Sequence, residues 1–79
     1  MDEVHLTIRR NKRGGETKLV ITNKSLISIP DTVYKLTHIQ ILNLSFNKIN
    51  LLEEPLAKLT NLKILICTNN NVQNLEPFI

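Results

Sequence analysis

IQILNLSFNKI, residues 39–49, and LKILICTNNNV, residues 62–72, match slot for slot at an offset of 23 residues. The first run, with its continuation, reads Ile39, Leu42, Leu44, Asn47, Ile49, Leu52, Leu56 and Leu59. The second reads Leu62, Leu65, Cys67, Asn70, Val72, Leu75 and Ile79. One step back, Leu19, Ile21, Leu26, Ile29, Val33 and Leu36 fill the same slots. Apolar residues in nearly every slot of three copies mark an internal repeat, and such repeats stack to share one core.

Each slot has a physical use. Leu42 and Leu44 alternate as two inward residues of a short strand. Asn47 and Asn70 stand where the chain leaves that strand. An amide there both donates to and accepts from backbone, which predicts an asparagine ladder from copy to copy. The spacings of Ile29, Val33, Leu36 and of Leu52, Leu56, Leu59 suit a helical turn with one buried face. Pro30 fits the start of such a turn, where its missing N–H has no use. Lys24 occupies the asparagine slot of the first copy and Glu16 its leading apolar slot, departures that suit a capping repeat. Glu53 replaces Pro30 in the frame, and Cys67 fills an inward leucine slot as a small hydrophobe.

The two runs resemble the leucine-rich-repeat motif LxxLxLxxNxL. ISIPDTVYKLTHI, residues 27–39, resembles the LPxxIxxLxxL half of the 23-residue repeat class, typical of intracellular scaffold proteins including relatives of Ras-pathway regulators. The resemblance spans residues 19–79. It implies an α/β fold: a short solenoid with parallel strands on a concave face and helical or 3-10 turns on a convex one. Residues 1–79 are then a single domain, with 19–79 forming two full repeats and a truncated third. Such a fold does not by itself fix a function.

Ahead of the repeats, Val4, Leu6 and Ile8 alternate with His5, Thr7 and Arg9, and a second alternating run follows from Lys18 to Thr22. Between them lies RRNKRGGETK, whose Gly14-Gly15 pair suits a tight reversal. This pattern predicts an antiparallel β-hairpin cap over residues 1–18 with a basic tip. The formal net charge of +3 is concentrated there: Arg9, Arg10, Lys12, Arg13 and Lys18 face only Glu16, whereas five lysines and four acids share the rest from residue 19 onward. Clustered cations point to an anionic partner, with RNA phosphates as the candidate and these five residues as the contacts. The plainer reading is a solvated tip that keeps the sheet edge from pairing with other chains. Neither GxGxxG nor GKS/T occurs.

Two apolar surfaces suggest protein contact. Val20, Ile41, Ile64 and Ile66 fall in neighbouring outward strand rows beside Phe46, although isoleucine is also simply a good strand former. The third copy stops at Ile79, so Leu65, Cys67, Val72, Leu75 and Phe78 are expected to form a largely uncovered end face. Either the chain is part of something longer or that face docks on a partner; the start at Met1 favours a natural beginning.

Catalysis finds no support. His5 and His38 pair by spacing with neither Cys67 nor a carboxylate, and His38 falls in a pre-strand turn slot that reads as exposed. Glu53-Glu54 read as solvated, and Ser25, Ser28 and Ser45 have no base in the pattern. CxxC and HExxH are absent, so no metal, cofactor or small-molecule substrate is expected. One cysteine excludes an internal disulfide, and no apolar run has the length of a membrane span or signal segment. The expectation is a cytoplasmic protein, the nucleus left open. The leading functional reading is a non-catalytic interaction protein that docks as a small subunit on a larger assembly through its concave strip and C-terminal end. The alternative is an accessory ribonucleoprotein subunit, ribosome-associated, whose basic hairpin contacts RNA phosphates. Aromatic residues make up 4% of the chain, too few to supply stacking platforms for reading unpaired bases.

Overall fold

The structure, a computed structural model, describes residues 2–73. Its elements run α1 (Glu3–Gly14), β1 (Lys18–Val20), a 3-10 turn (Asp31–Lys35), β2 (Ile41–Asn43), a second 3-10 turn (Glu54–Lys58) and β3 (Ile64–Ile66). The strands form an open parallel sheet in the order β1-β2-β3. Lys18 pairs with Ile41 and Ile41 with Ile64; Leu19, Leu42 and Leu65 make the next row, and Val20, Asn43 and Ile66 the third. The sequence offset is therefore the sheet register. This small α/β arrangement is compatible with a leucine-rich-repeat-like fold.

The inward slots do what their spacing requires. Leu19, Ile21, Leu42, Leu44, Ile49, Leu52 and Leu56 are buried, as are Val33, Leu36 and Leu59 from the returning segments. Each such side chain contributes about 1.5–3 kcal/mol by leaving water. Leu62, Leu65 and Val72 of the last copy pack against this cluster but are only partly buried. Each return closes through i to i+3 bonds: the Val33 N–H donates to the Pro30 carbonyl, and the Leu56 N–H to that of Glu53. Five residues in 3-10 geometry turn the chain and leave one apolar face inward, which is all a 23-residue unit needs.

The N-terminal hairpin is a helix. Its alternating residues also place Val4, Ile8 and Asn11 at i, i+4 and i+7, one face of a helix, and Ile8 and Asn11 are buried there. Asp2 caps the start, its carboxylate accepting the His5 N–H at 2.9 Å. Gly15 ends it at φ 70°, a conformation natural to glycine, and its N–H donates to the Asn11 carbonyl at 2.8 Å. Glu3 in the first turn and Lys12 and Arg13 in the last complement the helix dipole. The glycine pair stops a helix and turns no hairpin.

What an antiparallel strand would have given β1, Asn11 supplies. Its buried side chain donates from Nδ2 to the carbonyls of Glu16 and Lys18, each at 3.1 Å. The helix thereby blunts the edge of the sheet at the cost of one asparagine.

Candidate functional site

The described chain offers two surfaces to a partner, the exposed sheet face and the outer face of α1. On the sheet, Lys18, Val20, Ile41, Asn43, Ile64 and Ile66 turn away from the core, while Leu19, Leu42 and Leu65 turn into it. Val20 is 42% exposed and Ile64 48%, with Ile41 and Ile66 half-buried between and beside them. Register makes them neighbours: Ile41 and Ile64 adjoin in one row, Val20 and Ile66 flank Asn43 in the next. Adjacent strands lie about 4.8 Å apart, so these side chains form one strip. Ile27 and Leu51 are exposed as well, but outside the strands and their aligned rows.

Phe46 borders the strip, 53% exposed, with φ at 59°. Its equivalents one unit to either side, Asn23 and Asn69, have φ of 58° and 56°. Asparagine tolerates this left-handed conformation; an aromatic residue does so at a cost of about 1–2 kcal/mol. The backbone bond from the Phe46 N–H to the Thr68 carbonyl, 2.9 Å, helps hold it. A strained backbone carrying an exposed aromatic is the sort of site where contact function concentrates. Leu75 and Phe78, the remaining apolar contact candidates, lie outside the described residues.

The asparagine ladder underlies this face. The Asn47 Nδ2 donates to the carbonyls of Ile21, Leu44 and Ser45, while its Oδ1 accepts the N–H groups of Lys24 and Leu26. Asn70 repeats the pattern with Leu44, Cys67 and Thr68 as acceptors and the Ile49 N–H as donor. Lys24, in the asparagine slot of the first copy, has no earlier strand to reach. Its ammonium instead bonds the Glu3 carboxylate at 2.7 Å and ties α1 to the body.

A second ladder was not foreseen. The Asn61 Nδ2 donates to the Thr37 carbonyl at 2.8 Å. One unit earlier, in the same slot, His38 meets the Asn11 Oδ1 through Nε2 at 2.7 Å. Because the Asn11 amide nitrogen is committed to two carbonyls, its oxygen is the acceptor and the His38 Nε2 carries the hydrogen. His38 is thus half-buried and structural, correcting the exposed position expected of it. The signal was present in the repeat frame: two polar residues able to donate backward at one slot.

All five cations of the basic segment, Arg9, Arg10, Lys12, Arg13 and Lys18, are exposed. They do not share one loop tip. Arg9, Arg10 and Arg13 gather with Leu6 on the outer face of α1. Lys12 lies on one flank, in a cleft with Lys35, and Lys18 on the other, in a cleft with Arg10 and Glu16.

Two ionisable groups differ from their free behaviour through burial. The Tyr34 phenol is 7% exposed, its oxygen has no hydrogen-bond partner, and burial, reinforced by Glu53 and Asp31, pushes its pKa up to about 12. Burial also pushes the Cys67 thiol up, leaving it protonated at neutral pH. Among the described residues, no three His, Cys, Asp or Glu side chains gather as metal ligands. No helix among them is long and apolar enough to cross a membrane.

Comparison with known proteins agrees with this repeat architecture. The chain is similar to leucine-rich repeat-containing protein 58 of Xenopus tropicalis, 31% identical over 65 residues. The match takes in 82% of this chain and 19% of that protein, so it spans about a fifth of its relative. No family model matches the chain. The similarity supports a leucine-rich-repeat-like relationship.

Proposed function

We propose that this chain is a non-catalytic protein-interaction module that docks on a larger assembly through the exposed face of its sheet. The observation that carries this reading is the aligned apolar strip of Val20, Ile41, Ile64 and Ile66 with Phe46 at its border. Side chains projecting from hydrogen-bonded strands are already ordered, so a partner meets a surface with little entropy left to lose. The test is hydroxyl-radical footprinting of the protein in its native complex, with Ile64→Asp and Ile66→Asp as the disrupting pair. Protection at Ile41, Phe46 and Ile64, lost together with co-purification in the double variant, is the expected result. A folded monomer that co-purifies with nothing, or association indifferent to both substitutions, rules the reading out.

A second reading, an accessory ribonucleoprotein subunit, is favoured by a different observation: the arginines of the basic segment share the exposed outer face of a helix. Counterion release makes such binding weaken as salt rises. Nuclease treatment before purification separates the two readings, because it dissolves an RNA-bridged complex and leaves a protein-bridged one intact.

A further inference from the structure

The apolar strip on the sheet is framed by charge of a single sign. The three aligned segments that build this face, residues 17–23, 40–46 and 63–69, hold two lysines and no carboxylate. Lys18 stands in the row of Ile41 and Ile64 on the β1 side, and Lys63 immediately precedes β3 on the other; both are exposed. They flank the end at which the strands begin, and Phe46 lies toward the opposite end. The acids lie elsewhere: Asp2 and Glu3 at the start of α1, and Asp31, Glu53 and Glu54 at the 3-10 turns. Glu16 comes nearest, in the cleft that Lys18 shares with Arg10, where two cations outnumber it.

The shape and chemistry of the face restrict what can lie on it. Three strands spaced about 4.8 Å apart give a strip about 10 Å wide, the diameter of one helix. The backbone groups within the sheet are already paired from strand to strand. Asn43, the polar residue in the middle of the strip, has its Oδ1 taken by the Ser45 N–H at 3.0 Å. An extended peptide laid on this face would strand its own N–H and C=O groups, whereas a helix satisfies its own internally. A second copy of the chain would bring Lys18 and Lys63 against a surface that also carries net positive charge, +3 in all.

We propose that the strip receives an amphipathic helix of a partner protein, its apolar face flanked at one end by carboxylates that Lys18 and Lys63 select. The proposal rests on the reading of the strip as a docking face and names its occupant. Fluorescence-polarisation titration of the full chain with three labelled peptides tests it. All carry leucine at i, i+4, i+7 and i+11. One is a stapled helix flanked by glutamates and one a stapled helix with lysines at the same sites. The third is the acidic sequence unstapled and interrupted by proline.

The acidic helix is expected to bind about tenfold tighter than the basic one, an advantage that shrinks as salt rises. Lys18→Glu with Lys63→Glu should reverse the order. The same exchange at Lys35 and Lys58, in the 3-10 turns, should leave it unchanged. Ile64→Asp should abolish binding of both helices. Equal binding of the two, lost with Ile64→Asp, overturns the proposal and leaves the docking face standing. A proline-interrupted peptide that binds as well as the acidic helix overturns it likewise. Acidic binding indifferent to Ile64→Asp overturns both proposal and docking face. If no peptide binds, the proposal falls, and the footprint of the native complex decides the docking face by itself. A dimer in sedimentation equilibrium that Ile64→Asp disperses assigns the strip to a second copy and also overturns the proposal. Circular dichroism reports whether each variant is folded; should one unfold, the preference of the wild type between acidic and basic helices decides.

Discussion

Asn47→Ala tests the reasoning about the ladder most directly. The side chain is 7% exposed and serves five backbone groups: three carbonyls, of Ile21 and Leu44 at 2.9 Å and Ser45 at 3.3 Å, and two N–H groups, of Lys24 at 2.9 Å and Leu26 at 3.2 Å. Alanine removes both the donor and the acceptor. The two N–H groups lose their side-chain acceptor, and a stranded buried group costs about 1–3 kcal/mol. The expected loss is therefore about 3–4 kcal/mol, a large fraction of what so short a chain possesses. Asn70→Ala provides the control. Its amide makes bonds of the same kind, at 2.8 Å to Leu44 and 3.0 Å from Ile49, but in a half-buried position. Water there substitutes for the lost amide, and the cost should be roughly half as large. Urea unfolding followed by far-UV circular dichroism measures both, compared at unchanged m value. Equal losses at the two sites, or a loss below about 1 kcal/mol at Asn47, would refute the account. Asn47→Asp adds a pH signature. A carboxylate facing three carbonyls destabilises at neutral pH, and acidification restores part of the loss by returning a proton to donate.

Asn11→Ala should cost about 2 kcal/mol, since it strands the Glu16 and Lys18 carbonyls and the His38 ring; amide exchange should then quicken in α1 and β1 more than in β3. Tyr34→Phe should stabilise by about 1 kcal/mol in urea, because it removes a buried hydroxyl that has no partner. The raised phenol pKa means the folded state holds its proton while the unfolded state releases one. Stability should therefore fall between about pH 10 and pH 12, followed through the absorbance of the single tyrosine. Asp2 runs the other way: its bond to the His5 N–H, then that to the His5 ring, lowers its pKa from 3.8. Its support for α1 is present above the ordinary carboxylate range and lost as pH falls through the depressed value. Ellipticity at acid pH should show that loss in the wild type and no such step in Asp2→Ala.

The body of the fold was legible because a repeat states its constraint more than once. Leu19, Leu42 and Leu65 sit one unit apart in the chain and side by side in the sheet. The asparagine slots were equally plain, since only an amide both donates and accepts at such a turn. The first 14 residues were not legible by the same means, because they occur once. Val4, Leu6 and Ile8 satisfy a period of two, while Val4, Ile8 and Asn11 satisfy a helix, and a polar Asn11 hides the second pattern. The candidate surfaces divided likewise: strand rows followed from the register, but a basic segment could be placed on a loop or on a helix.

The sequence by itself determined the repeat length, the strand register, the inward residues and the residues of the asparagine ladder, because identical chemistry recurring at a fixed interval admits one stacking. Only the tertiary structure decided that a helix closes the first end. The deciding group is the Asn11 side chain, whose burial is stable only with the Glu16 and Lys18 carbonyls and His38 around it. Those partners come from elements 5 to 27 residues away, so no local pattern announces them. The same docking turns Arg9, Arg10 and Arg13 outward together, making a surface of what the sequence presents only as a basic run.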